Sequence, residues 1–267
     1  MTAQPQLSRA HLDLAAINRA LAGTRFGRRV QHFASVDSTN TLLLSAAVSG
    51  ALEGTVYVAD EQIAGRGRGG HQWHSTAGDG LYVSVLVRPP LPIAQALWIS
   101  LAAGLAVQTA IHEAMGLDID IRWPNDLLIG SKKCGGILVE TSVEGPLLRY
   151  AVIGIGINVN HAQLPPELAE VATSLFLETG EIKLRNPLLI ALLRALDLEL
   201  TRLEDNAPDL LDRFTAASSW VSGKRVHVTE AGGYTGVTTG LDAYGFLQVA
   251  GDDGVQHTVL SGGVREA

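Results

Sequence analysis

The chain holds one cysteine, Cys134, in 267 residues. It therefore closes no intrachain disulfide and supplies no cysteine-rich zinc site, which makes a reducing cytoplasm its natural compartment. No apolar run approaches the ~18 residues that a membrane span requires, so no membrane role is expected. The N-terminal segment lacks the apolar block of a signal peptide. Its Arg9, Arg19, Arg25, Arg28 and Arg29, set against Asp13 alone, faintly resemble a transit peptide, and an ordinary surface helix is the preferred reading. Basic charge is also short: 20 Lys and Arg face 27 Asp and Glu, and a net charge of −7 has the wrong sign for covering a nucleic-acid backbone. No internal repeat or low-complexity linker is present. What the chain does have is apolar content, 46%, ample for the core of one large domain or two unequal ones.

Glycine is concentrated in one place. Six glycines fall between Gly65 and Gly80, interleaved with Arg66 and Arg68, and strand-like runs at 55–59 and 81–87 bracket them. Glycine tolerates φ > 0 and has no Cβ to hold a ligand off, so such a loop brings backbone N–H groups close to an anion. The two guanidiniums add charge-assisted forks suited to phosphate or carboxylate. A mobile, solvated hairpin loop is the plain alternative. Gly65, Gly67 and Gly70 also fit a dinucleotide fingerprint, but that motif must open a helix directly after its strand. Here Gln72, Trp73 and His74 follow instead, which excludes a Rossmann site.

Around this loop the periodicity predicts helices over 11–21, 41–48, 93–115, 187–203 and 208–217, with Asn186 capping the fourth. Asp37, Ser38 or Asn40 can cap the second helix. The long apolar stretch 93–115 carries Ser, Gln and His and reads as a buried helix packed on a sheet. Strands are expected at 30–33, 119–122 and 127–129, with a polar turn through Gly130, Ser131, Lys132 and Lys133. Residues 135–142 and 147–159 then form an antiparallel hairpin. Its second strand contains Gly154 and Gly156, and glycines in a buried strand mark close approach of another backbone or a ligand. From Val221 short alternating strands at 224–229, 235–241, 245–249 and 256–260 suggest a small appended barrel or sandwich, with the boundary near 219–223.

Taken together and in order, the motifs resemble one family, the biotin protein ligases. They are Ser38-Thr39-Asn40; Glu61-Gln62 leading to Gly65-Arg66-Gly67-Arg68, with Trp73 five residues on; Trp123-Pro124-Asn125-Asp126; Lys133 with Gly136-Ile137-Leu138-Val139-Glu140; and Gly154, Gly156 and Asn158. The resemblance implies an α+β fold: a mixed or antiparallel sheet with packed helices, like that of class II synthetases, over 1–220, and an SH3-like all-β domain over 221–267. It also implies the reaction, in which ATP and biotin form biotinyl-5′-adenylate and biotin then passes to one lysine of a biotin carboxyl carrier protein. Arg66 and Arg68 match the arginines that contact biotin and phosphate in the family. Lys133 matches the cation between the biotin carboxylate and the α-phosphate. Ser38, Thr39, Asn40, Gln62, Gly65 and Gly136 match the biotin pocket. Trp73, Asn125 and Asn158 match the nucleotide side, and Asp126 stands near the phosphates, where it would meet Mg2+ or orient the incoming lysine.

Each of these residues has a plainer reading. Lys133 beside Lys132 could be a solvated turn lysine, Trp73 core packing, Asn158 a strand end, and Asn125-Asp126 turn chemistry. Four positions depart from the common family pattern: His71, Arg122, Cys134 with Gly135, and Gly263. A histidine at 71 would make any phosphate contact there pH-dependent. His71 and His74 lack a third ligand and make a poor zinc site. Cys134 has no base partner and reads as a small hydrophobe. A lipoate ligase and a biotin-responsive regulator are the rival functions. Only 37 residues precede Ser38, too few for a helix-turn-helix domain with its connection, so no nucleic-acid partner is expected. The sequence leaves a homodimer open.

Overall fold

A computed structural model of the chain describes residues 12–205, 209–230, 232–261 and 263–267. His11 and Pro208, the expected first residues of two helices, lie outside them. The first part of the chain forms α1 (Leu14–Ala20), β1 (Val30–Val36), α2 (Thr39–Val48), β2 (Val56–Gln62), β3 (Gly80–Val87) and α3 (Ala96–Met115). It continues with β4 (Asp120–Arg122), β5 (Asp126–Ile129), β6 (Lys132–Glu144), β7 (Leu147–Asn158), α4 (Leu175–Thr179), α5 (Arg185–Glu204) and α6 (Leu210–Ala217).

Seven strands make one mixed sheet in the order β1-β2-β3-β7-β6-β5-β4. Only the β1–β2 pair is parallel, and the other neighbours run antiparallel. Alternation sorts each strand into two faces. Val83, Val85 and Val87 of β3 and Ile153, Ile155 and Ile157 of β7 go to the main core, where α3 and α5 cover them. By length and mean hydropathy of 1.4, Ile93–Met115 could cross a membrane, yet 56% of that window is buried inside the protein. Its Ile99, Leu101, Leu105, Val107 and Ile111 share the core with Leu188, Leu192, Leu196 and Leu200 of α5, so it is the core helix the sequence predicts. Gly116 ends it in the left-handed conformation, φ 64°.

The opposite face of the sheet is covered less. There Leu43 and Ala47 of α2 pack on Tyr57, Leu86, Tyr150 and Val152. The part of this face beyond α2 is left for the site. Two local expectations change. Asn186 lies inside the first turn of α5 rather than capping it, since Leu184 is the N-cap and the Asn186 side chain accepts from the Asp13 amide. Likewise the polar turn is only Gly130-Ser131, because Lys132 and Lys133 pair with Ile129 and Leu128 and belong to β6.

The C-terminal strands β8 (Ser222–Val228), β9 (Tyr234–Leu241), β10 (Leu247–Gly251), β11 (Gln256–Val259) and β12 (Val264–Glu266) form a separate antiparallel sheet, ordered β11-β10-β9-β8-β12. This is the SH3-like unit the resemblance implies, with β12 as an additional strand. It is tied to the main body through Trp123, whose buried indole N–H donates to the Gly245 carbonyl at 2.8 Å. Trp123→Phe removes that donor and leaves a buried carbonyl unpaired, which costs about 1–3 kcal/mol. Urea unfolding of the variant should show a lower midpoint with an unchanged slope, and an unchanged midpoint would mean that the bond ties nothing.

Candidate functional site

The site stands on a floor that three glycines keep low. Gly136 of β6 faces Gly156 of β7, and Leu138 faces Gly154, in one antiparallel register. A Cβ on Gly156 would lie 2.6 Å from the Trp73 indole, and one on Gly154 would lie 2.8 Å from Asn40 Cγ. The glycines of this buried strand therefore admit two side chains, Trp73 and Asn40, rather than another backbone. Over this floor opens a cleft whose empty space, about 430 Å³, runs on into solvent. Ser38, Thr39 and Asn40 of α2 and its cap line one wall, Gln62, Arg66, Gly67, Arg68 and Trp73 another, and Asn125, Lys133 and Gly136–Leu138 the third.

A bulge delivers the lysine. Leu127 pairs with Gly135 but Leu128 pairs with Lys133, so Cys134 is the extra residue in β6. In an unbroken strand Lys133 and Gly136, three apart, would face opposite sides of the sheet. The bulge turns both to the pocket, as shown by the Lys133 Cε and Nζ, which lie within 3.2 Å of where a Gly136 Cβ would stand. Cys134 goes to the other face, fully buried, where its thiol donates to Leu127 O and burial pushes its pKa up to about 12. The thiol is inert packing, in keeping with its sequence reading.

Lys133 is paired with Asp126. One carboxylate oxygen, Oδ1, meets Lys133 Nζ, and the other, Oδ2, accepts from Arg122 Nη2 at 2.6 Å and Nε at 3.2 Å. Arg122 in turn lies over the Trp220 ring, 5.3 Å from its centroid. Burial opposes ionisation of Asp126, but the Lys133 ammonium and the Arg122 guanidinium outweigh it and hold the carboxyl below the usual carboxylate range. Lys133 Nζ also sits over the Trp73 ring, 5.5 Å from its centroid.

At the other wall α2 begins two residues earlier than its periodicity predicts. Ser38 caps it by accepting from the Thr41 amide. The Thr39 amide and hydroxyl both point at Gln62 Oε1, at 2.9 and 3.1 Å, and Gln62 Nε2 donates to Ser75 Oγ. Ser84, a β3 residue the motifs do not include, lies 2.7 Å from Thr39 Oγ1 and 2.6 Å from Asn40 Oδ1. The glycine loop is a folded hairpin: Gly67 N–H donates to His71 O, Trp73 N–H to Gly65 O, and Gly69 and Gly70 take φ of 67° and 80° at the tip. Gly65 is buried under this turn, where a Cβ would meet the Trp73 carbonyl at 2.5 Å.

Ten of the predicted site residues thus line one pocket: Ser38, Thr39, Asn40, Gln62, Arg66, Arg68, Trp73, Asn125, Lys133 and Gly136. Arg68 is half-buried and makes no ion pair among the described residues; burial lowers its pKa against the pull of Asp126 and Glu230. The Asn125 amide donates to Ile137 O at 2.9 Å. Asn158 lies in an adjoining pocket with Trp73, His74, Lys133 and Leu168, its amide donating to Thr173 O. Asp126 and Gly65 stand behind the wall. Among the described residues no three His, Cys, Asp or Glu side chains converge on a metal position, and His71 and His74 are exposed.

A cationic pocket with a polar end and a flat apolar floor suits a ligand with an anionic head, and the comparisons specify the class. Residues 32–158 match the model of the Biotin/lipoate A/B protein ligase family, and 221–264 that of the Biotin protein ligase C terminal domain. The chain is 35% identical over 263 residues to the Biotin--[acetyl-CoA-carboxylase] ligase of Mycobacterium tuberculosis, covering 96% of this chain and 95% of that one. The chain belongs to the biotin protein ligase family. It is 43% identical over 157 residues to the Bifunctional ligase/repressor BirA of Bacillus subtilis, 58% of this chain and 48% of that one, so it spans about half the length of that relative. The structure of a biotin protein ligase from Aquifex aeolicus in complex with biotin and ATP superposes with a TM-score of 0.78 at 28% identity, covering 90% of this chain and 100% of the other.

The Asp126 pairing has a pH signature. A carboxyl whose folded-state pKa lies below the ordinary value of about 3.9 contributes stability that is full at neutral pH and is lost as pH falls through the folded value. Asp126→Asn should therefore lower the unfolding free energy by about 1–3 kcal/mol at pH 7, with the gap closing in acid. A gap that does not narrow between neutral pH and about pH 2.5 would show that the charge pairing contributes nothing.

Proposed function

We propose that this chain is an ATP-dependent biotin protein ligase that activates biotin as biotinyl-5′-AMP and transfers it to a lysine of a biotin carboxyl carrier protein, such as that of acetyl-CoA carboxylase. The observation that carries this reading is the convergence of Lys133, Arg66 and Arg68 on one pocket whose remaining walls are neutral. A carboxylate oxygen of biotin attacks the α-phosphorus of ATP, the bond to the β-phosphate oxygen breaks, and pyrophosphate leaves. Two anions must meet for this to happen, and fixed cations at the meeting point are what lowers the barrier. Lys133 takes that place, at the junction of the main pocket and the adjoining one that holds Asn158. Arg68 lines the same pocket and is in no ion pair among the described residues, which leaves its guanidinium for the phosphate.

In this reading biotin's ureido ring lies toward Ser38, Thr39 and Gln62, and its thioether ring and chain lie over the Gly136–Gly156 floor. The nucleotide occupies the side of Trp73 that carries Asn158. In the second half-reaction the carrier lysine's neutral amine attacks the acyl carbon, the bond to the AMP phosphate oxygen breaks, AMP leaves, and the amine gives up a proton to solvent as the amide forms. Asp126, held ionised by two cations, is a poor proton acceptor, so we assign it the orientation of Lys133. Mg2+ enters as part of the nucleotide, since the chain builds no cage of its own among the described residues and Mg2+ is commonly carried by substrate phosphates. We take 1–220 as the catalytic unit, 221–267 as the appended one, and the cytoplasm as the compartment. Nucleic acid and membrane have no part in this reading.

Lys133→Ala separates binding from chemistry. Its Kd for biotin, measured by calorimetry without ATP, should change less than about tenfold, while formation of biotinyl-5′-AMP falls by about 10²–10³. Adenylate formation at the parent rate would remove Lys133 from the reaction, and absence of any adenylate from the parent protein would remove the ligase reading itself.

A further inference from the structure

Ser84 is fully buried in the apolar strand β3, and the chemistry above gives it no task. Val83, Val85 and Val87 turn to the main core, so Ser84 turns to the other face of the sheet, toward α2. It pairs there with Gly154, whose missing side chain leaves room for Asn40. The Ser84 hydroxyl lies 2.6 Å from Asn40 Oδ1 and 2.7 Å from Thr39 Oγ1, within hydrogen-bond distance of each. A serine hydroxyl has one proton, so it donates to one of them and accepts from the other.

Asn40 decides which. Its Nδ2 lies 3.0 Å from Glu140 Oε2, on the carboxylate that Arg66 also meets, and 3.2 Å from the Leu138 carbonyl. Both neighbours are acceptors. Turning the amide over would set its oxygen against both, so Nδ2 stays on that side and Oδ1 faces Ser84 as an acceptor. Ser84 therefore gives its proton to Asn40 and takes one from Thr39. The Thr39 oxygen also lies 3.1 Å from Gln62 Oε1, which competes for the same proton. Ser84 wins it, because Gln62 Oε1 already accepts from the Thr39 amide at 2.9 Å and a 2.7 Å contact between oxygens without a proton is the more repulsive. With its proton turned to Ser84, Thr39 Oγ1 offers only lone pairs to the pocket that Thr39 lines. A free hydroxyl serves a donor or an acceptor; this one serves a donor alone.

We propose that Ser84 is a positioning residue that fixes the Thr39 hydroxyl as an acceptor and so selects a ligand ring carrying an N–H at that point. On the ligase reading, on which the choice of ligand rests, one ureido N–H of biotin donates to Thr39 Oγ1.

Calorimetry without ATP tests this with three ligands: biotin and the two analogues in which one or the other ureido N–H is replaced by a ring oxygen. The parent should bind one analogue at least about tenfold more weakly than biotin, since two acceptors then face each other. In Ser84→Ala the Thr39 proton is released and can turn to the ring oxygen, so the ratio of the two Kd values should fall to about two or less. A general disturbance of the pocket would weaken all three ligands alike and leave that ratio where it was. Thr39→Val, which removes the acceptor and keeps Ser84 on Asn40, should erase the preference too, and carries the test if Ser84→Ala does not fold. The double variant should show no further change, because both substitutions break one relay. Equal binding of all three ligands by the parent, or an undiminished ratio in either variant, would overturn the relay. Adenylate formation on the same samples separates the two claims. A ratio that falls as predicted in a protein that forms no adenylate keeps the relay and loses the ligase; adenylate formation with an unchanged ratio does the reverse.

Discussion

Everything at this site depends on one extra residue in a strand. Without the bulge at Cys134, β6 would alternate regularly, Lys133 and Gly136 would face opposite sides of the sheet, and the lysine would point into a core of Leu127, Ile137 and Ile157. With it, Cys134 takes the buried position and Lys133 reaches the pocket. Once there, a half-buried ammonium needs a partner, and Asp126 supplies it from the neighbouring strand. Asp126 is in turn held by Arg122, which the indole of Trp220 supports from the junction with the C-terminal sheet. The line of contacts from Trp220, beside the appended sheet, to Lys133 is continuous.

The second constraint is what the floor omits. Side chains at 136, 154 and 156 would occupy the space of Lys133, Asn40 and Trp73. Glycine interiors weaken a strand, and here the weakened strand lies at the middle of a seven-stranded sheet, with β3 and β6 on either side. The sheet holds these positions flat while α3 and α5 fill the core behind them. The architecture thus places its rigid layer under the site and its glycine hairpin above it. Function of this kind is expected where loops are positioned by a stiff scaffold.

Much of this was legible in the sequence. Helix and strand periodicity placed the main elements, and the motifs named ten residues that the fold brings to one pocket although they come from positions 38 to 136. What escaped was whatever depends on registry between strands. A bulge leaves no mark in alternation, so the pattern put Lys133 in the polar turn, although its motif already marked it as a cation of the site. Ser84 sits in an apolar strand and gains meaning only when Asn40 and Thr39 lie over it. The Arg66–Glu140 pair joins residues 74 apart. A signal for it did exist: 136, 138 and 140 share a face by the period of two, so the carboxylate had to look out over the same floor. The Gly154 and Gly156 reading was right about close approach and incomplete about what approaches.

The most direct test of the central claim, that this pocket joins a biotin carboxylate to the adenylyl group of ATP, is ATP–pyrophosphate exchange by the purified protein with Mg2+ and biotin, lipoate or no acid. Exchange that requires biotin and is absent with lipoate and with no acid is the predicted result. Exchange supported by lipoate, or none with either acid, would contradict it.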